Sequence, residues 1–150
     1  MKKIVIIALA SFGALCQAKP AQVISVTDGD TLTARIDGVA RKVRIAAIDA
    51  PEIKQAFGIQ SRQTLASLCQ GKTAEIAGDK LDKYNRVIAT VSCNGTDAGT
   101  HMVKNGMAMV YDRYVSGHQY LYAHQSAAKN GKRGMWAGSP IKPWEWRRKK

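Results

Sequence analysis

Two acidic clusters and two arginines stand out in a chain of 150 residues that carries 11 acids. Asp28-Gly29-Asp30-Thr31 puts carboxylates on a tight turn, and Asp49-Ala50-Pro51-Glu52 puts two more where a proline ends an extended run. Arg44 lies five residues before Asp49, and Arg86 follows Asp82-Lys83-Tyr84-Asn85. Hard cations such as Ca²⁺ take several oxygen ligands, which carboxylates on rigid strand ends supply at little ordering cost. Phosphodiester hydrolysis uses the same parts: a cation on a phosphoryl oxygen, a carboxylate to activate or position water, and guanidinium forks for charge developing on phosphate. Each part also has a bland reading. A DGDT turn suits a hairpin tip with solvated acids, and Arg44, Asp82 and Arg86 suit a charged surface. The joint pattern is more specific than its pieces.

The elements that must position these groups follow from periodicity. Residues 21–26 are apolar and β-branched, residues 27–30 form a turn cluster, and residues 31–37 alternate Leu32, Ala34 and Ile36 with polar neighbours, which predicts a hairpin. Asp37-Gly38 makes the next turn, and a third strand is expected over 39–48 before Pro51. A helix over 59–70 places Leu65, Leu68 and Cys69 on one face, with Gly71 to cap it. Two further strands, 73–77 and 87–93, flank a charged loop over 78–86. Beyond them lie a short helix over 100–105 ending at Gly106, an extended piece over 107–111 and a helix over 119–129. Five short strands with a helix between the third and fourth match the Greek-key OB-fold barrel, here an α+β, mainly β domain with about three helices. Such barrels bind oligonucleotides or oligosaccharides, so fold alone does not choose the ligand.

The two ends carry other information. Met1-Lys2-Lys3, an apolar run over 4–15 and Cys16-Gln17-Ala18 form a secretory leader pattern, cleaved near Ala18. The run is shorter than the roughly 20 residues that span a bilayer, so no permanent anchor is expected. Cys16 suggests a lipoprotein, but Leu15 before it is larger than that processing normally wants. The mature domain is therefore expected over 19–150, with a basic tail over 143–150, in the periplasm or outside the cell. Removing residues 1–18 leaves Cys69 and Cys93, which an oxidising compartment is expected to pair; two buried thiols are the alternative. The chain has 23 Lys and Arg against 11 Asp and Glu, and loss of Lys2 and Lys3 leaves 21 against 11, a net +10. That excess favours polyanionic partners through counterion release, and it also serves solubility alone. The tail Pro143-Trp144-Glu145-Trp146-Arg147-Arg148-Lys149-Lys150 could stack bases beside phosphate contacts, but a packed tryptophan pair with a frayed basic end is the commoner meaning. His101, His118 and His124 share no metal-binding spacing.

In this setting the blocks VISVTDGDTLTA, VRIAAIDAPE, GIQSRQTLASL, DKYNRVIATV, MVKNGMAMVY and AAKNGKRGMW resemble, in order, the staphylococcal (micrococcal) nuclease family, the thermonucleases. The resemblance runs from about Val23 to Trp136 and implies an OB-fold enzyme that uses Ca²⁺ to cleave DNA and RNA, leaving 3′-phosphate and 5′-hydroxyl ends. It further implies Asp30 and Asp49 as calcium ligands with the carbonyl of Ala50, Glu52 as the residue that orients water, and Arg44 and Arg86 as phosphate-binding arginines. Lys83 and Tyr84 resemble the pair that meets a terminal nucleotide phosphate. The base-stacking tyrosine corresponds to Tyr111 or Tyr114, and Asp28 to a supporting or turn residue. Ala50 replaces a threonine of the best-known member, which a carbonyl ligand survives. A monomer is expected. The competing hypothesis is a non-catalytic OB-fold that binds single-stranded nucleic acid; such a protein is expected to lack some of these acids or arginines. An oligosaccharide-binding barrel is disfavoured by the few aromatic residues outside the C-terminal end.

Overall fold

The computed structural model describes residues 17–149. Of the expected leader, residues 1–16 lie outside the described residues. Strands β1 (Lys19–Val26), β2 (Thr31–Ile36) and β3 (Val39–Ile45) form an antiparallel meander. The β2–β3 turn is Asp37-Gly38, both with positive φ (49° and 82°), the backbone that suits the right-handed twist of a two-residue hairpin. β5 (Thr73–Leu81) pairs with β1 and with β6 (Val87–Cys93), and β6 then runs parallel to β3, Val43 opposite Val87, closing five strands into a barrel. Its interior is filled by the inward residues of each strand, among them Val23, Leu32, Val43, Ile45, Ile76 and Val91.

Three boundaries differ from the periodicity. The third strand stops at Ile45, not at residue 48, because Ala47 adopts φ 63° and turns the chain. Ile48–Asp49 becomes a separate strand, β4, paired with β8 (Met109–Val110). The fifth strand extends past residue 77 to Leu81 through a bulge between Ala77 and Lys80. The third departure is at the C-terminus, where the chain forms α4 (Pro143–Trp146) and a 3₁₀ turn (Arg147–Lys149) that brings the Arg147 side chain back to the domain.

Outside the barrel lie α1 (Gly58–Cys69), α2 (Ala98–Lys104) and α3 (Leu121–Asn130), with a short strand β7 (Thr96–Asp97) leading into α2, whose first turn is capped by the Asp97 carboxylate accepting from Thr100 N at 2.7 Å. Among the described residues there are four α-helices, in keeping with the about three expected, the fourth being the short α4. Leu65, Met102 and Leu121, one from each of the first three, are fully buried. Cys69, at the end of α1, meets Cys93, at the end of β6, with Cα atoms 5.3 Å apart and the sulfurs at bridging distance. Gly29 allows the Asp28–Asp30 turn to lie against α1, since a Cβ there would fall 1.9 Å from Ser61 Oγ. Gly58 does the same for the loop after Glu52, where a Cβ would sit 1.9 Å from the Glu52 carbonyl. Among the described residues no helix is long and apolar enough to cross a membrane.

Candidate active site

The strand ends deliver the acids. The β1–β2 turn ends in Asp30, the kink at Ala47 swings Asp49 toward it, and Arg44 on β3 lies between them. Arg44 Nε stands 3.4 Å from Asp30 Oδ1, and its Nη2 donates to Asp49 Oδ1 at 3.1 Å. Its Nη1 donates to the carbonyls of Ile45 and Ile48 at 2.9 and 2.7 Å, which locks the guanidinium to the backbone of the bend. Both carboxylates are buried. Asp30 Oδ2 accepts from Ala50 N at 2.7 Å and Oδ1 from Thr31 Oγ1 at 3.0 Å. Ala50 is thus tied to the same carboxylate through its amide.

Burying like charges has a cost that appears in their protonation. Burial pushes the Asp28 carboxyl up to about 7, helped by the Asp30 charge beside it. Asp28 Oδ1 accepts from Asp30 N at 3.1 Å, so it acts as the turn residue that holds Asp30 in place. Burial likewise raises Asp49, against the opposing pull of Arg147 and Arg44.

The opposite wall is built by the β5–β6 turn. Asp82 accepts from the amides of Tyr84 and Arg86 at 2.9 and 3.0 Å and from Arg86 Nε at 2.7 Å, so a single loop acid sets the turn and aims the guanidinium. Burial pushes the Asp82 carboxyl up, but the Arg86 and Tyr84 hydrogen bonds outweigh it and hold the group below its ordinary value. Arg86 Nη1 also reaches Thr31 Oγ1 at 3.4 Å. Lys83 and Arg86 lie over the exposed Tyr84 ring, at 5.0 and 5.4 Å from its centroid.

All eight residues that the sequence marks for metal, phosphate and water, from Asp30 to Arg86, line one cleft of about 680 Å³. Tyr111 and Tyr114 line it as well, packed edge to face with centroids 5.2 Å apart. None of the three histidines does; His118 Nε2 instead sits 3.2 Å from Thr90 Oγ1. Two cationic lining residues escaped the sequence reading, Arg113 and Arg147. Arg147 Nη1 and Nη2 donate to Asp49 Oδ1 and Oδ2 at 3.1 and 2.7 Å, and Nη1 also donates to Glu52 Oε1 at 2.9 Å. No local pattern links residue 147 to residues 49 and 52; the surplus of arginine at the chain end is the one available hint.

No three His, Cys, Asp or Glu side chains among the described residues gather into a metal cage. The cleft instead offers an open, all-oxygen set around Asp30 and Asp49. Such a set fits a hard cation that completes its shell with water and phosphate oxygens, and not a closed tetrahedral one.

A barrel whose strand ends hold buried carboxylates beside fixed guanidinium groups, at one open cleft, defines the class: an OB-like α+β domain built for phosphodiester chemistry. The sequence profile described as staphylococcal nuclease homologue matches residues 42–138, and the chain belongs to that family, hydrolases acting on phosphodiester bonds. It is 42% identical over 129 residues to an uncharacterized endonuclease of Haemophilus influenzae, covering 85% of this chain and 72% of that protein. It is 35% identical to an uncharacterized endonuclease of Escherichia coli over 93% of this chain and 92% of that one. It is 31% identical to a micrococcal nuclease of Shigella flexneri over 85% of this chain and 79% of that one. Arg44, Asp49, Glu52 and Arg86 fall inside the profile match; Asp30 precedes it and Arg147 follows it.

Proposed function

We propose that this protein is an exported, calcium-dependent endonuclease that hydrolyses DNA and RNA, leaving 3′-phosphate and 5′-hydroxyl ends, and that it acts as a monomer with Cys69 and Cys93 oxidised to a disulfide. The observation that carries the reading is the juxtaposition of Asp30 and Asp49 across Arg44, both carboxylates buried and both open to one cleft. Asp30, Asp49 and the Ala50 carbonyl would hold calcium, which when bound would supply Lewis acidity toward the phosphate. Glu52, on the loop after the bend and half-exposed, orients the attacking water. Arg44 is fixed before substrate arrives by its backbone carbonyl partners, and Arg86 by Asp82, so both meet the developing phosphate charge without reorganising. Lys83 and Tyr84, at the rim, receive a terminal phosphate. The secretory leader pattern of residues 1–18, the basic excess and the cysteine pair support export and a polyanionic substrate.

Digestion of DNA and RNA by the mature protein with Ca²⁺, Mg²⁺ or chelator tests the reading. Acid-soluble nucleotides are expected with calcium and none with chelator; tight binding of single strands without hydrolysis refutes the enzyme. Glu52→Gln is expected to lower turnover by about 10²–10⁴ with nucleotide binding largely retained.

A further inference from the structure

The C-terminal arm lies at the mouth of the cleft, held ahead of its arginine by a hydrogen bond, a buried proline and a stacked ring. Gln55 Nε2 donates to the Ile141 carbonyl at 2.7 Å, Pro143 is buried, and the Trp144 ring stacks on Tyr111 at 5.1 Å and 24°. The 3₁₀ turn after α4 then lays the Arg147 fork across both oxygens of Asp49 and onto Glu52. These are the carboxylates that the proposed mechanism uses for the cation and for water.

Arg44 and Arg147 both touch Asp49, but they are held differently. Arg44 is 13% exposed and fixed by two backbone carbonyls, whereas Arg147 is 40% exposed and its hydrogen bonds reach those two acids. Asp49 is 1% exposed and cannot turn to water. Asp49 Oδ2 gives its short 2.7 Å contact to Arg147, and a hard cation needs the same lone pairs. The two cations compete for one anion, and only Arg147 has an easy way out.

We propose that Arg147 is a tethered counter-cation that closes the site: arm docking and calcium binding at Asp49 are mutually exclusive, and calcium displaces the arm. The inference rests on the calcium reading above. Its consequence is a nuclease restrained where calcium is scarce, with the buried carboxylates neutralised until the ion arrives. By linkage, the arm weakens calcium binding by the same factor that calcium weakens arm docking. If the arm is open in about 1–10% of molecules, apparent calcium affinity is reduced about ten- to a hundredfold.

Calorimetric calcium titration of the mature protein, compared with Arg147→Ala, Arg148→Ala and Asp30→Asn, tests this. Arg147→Ala is expected to tighten calcium binding about tenfold or more, while Arg148→Ala, which removes the same charge one residue along, changes it less than about twofold. Acrylamide quenching of tryptophan fluorescence is expected to increase when calcium saturates the wild type, as Trp144 leaves its stack. The proposal is overturned if Arg147→Ala binds calcium no tighter than wild type, if Arg148→Ala tightens it equally, or if quenching is unchanged on saturation. Those outcomes leave the calcium reading standing. Absence of calcium binding in wild type and Arg147→Ala alike, or an unaltered isotherm in Asp30→Asn, refutes both.

Discussion

The barrel wall and the C-terminal arm each present an arginine to Asp49, and they do so by opposite means. Arg44 sits on a strand locked between two neighbours, its fork seated on the carbonyls of the bend that also carries Asp49. Guanidinium and carboxylate are set by one rigid piece of backbone. Arg147 arrives 98 residues later in sequence, on a four-residue helix and a single 3₁₀ turn, with its side chain far more exposed. Preorganised charge near a reaction centre serves catalysis because it need not move. Charge delivered by a thin, marginal element can be withdrawn, and withdrawal is what a shared carboxylate requires.

The sharpest way to break this distinction is kinetic. Arg44→Ala and Arg86→Ala are each expected to lower kcat/KM at saturating calcium by about 10²–10³, the loss seen when a fixed donor to developing anionic charge is removed. Arg147→Ala is expected to move the calcium midpoint of the rate. An equal fall at saturating calcium in Arg147→Ala would place the arm among the fixed donors and erase the difference between the two regions.

The same contrast explains what was legible in the sequence. Asp30, Arg44 and Asp49 stand on elements whose period and turn residues can be read locally: Leu32, Ala34 and Ile36 alternate, Asp37-Gly38 turns, Pro51 stops. The barrel followed from that, whereas the roles of the eight marked residues that share one cleft were implied by the family resemblance and not by period. The kink at Ala47 did not, because an alanine at φ 63° carries no composition signal; it is imposed by the contacts on either side, Ala46 N to Ala89 O and Tyr111 N to Ala47 O. Asp82 was legible as a loop acid but not as the residue that aims Arg86, since a hydrogen-bonded turn and a solvated one share a sequence. The arm was least legible. Trp144 is placed by a ring about thirty residues back, Tyr111, and Arg147 by carboxylates 95 and 98 residues back, and a tryptophan pair followed by basic residues reads equally well as a loose end.

The proposed Cys69–Cys93 link tests whether the barrel is independent of the arm. Oxidised to a disulfide, Cys69 and Cys93 with their separation of 24 residues would contribute about 3 kcal/mol by restricting the unfolded chain. Cys69→Ala with Cys93→Ala is expected to lower the urea midpoint by about 1–2 M for a domain of this size. Calcium affinity should hardly change, because neither cysteine lines the cleft. An unchanged midpoint means that the native protein is not bridged; a large fall in calcium affinity means that the strands holding Asp30 and Asp49 depend on the staple.

A smaller effect concerns charge within the wall itself. With the folded-state pKa of Asp28 raised to about 7, chiefly by burial, the carboxyl carries no penalty below its ordinary value near 3.8. The penalty grows as pH rises between those values and is complete above 7. Asp28→Asn should therefore raise the calcium-free urea midpoint at pH 8 by the equivalent of about 1 kcal/mol, discounted because the side chain is partly exposed. The gain should vanish as pH falls toward 4. A gain that is independent of pH would assign the effect to the turn and not to the charge.

The smallest expected effect bears on how weakly the arm is held. An aromatic pair such as Trp144 on Tyr111 is worth about 0.5–1.5 kcal/mol beyond the area it covers, less than the two-pronged hydrogen-bonded pair that Arg147 makes with the buried Asp49. Trp144→Ala should thus tighten calcium binding about two- to fivefold, less than Arg147→Ala does, with the thermal midpoint of the barrel unmoved. If it raises KM for nucleic acid and leaves calcium affinity alone, the ring belongs with Tyr111 and Tyr114 to a platform for bases, and the arm is a part of the substrate site that Arg147 merely finishes.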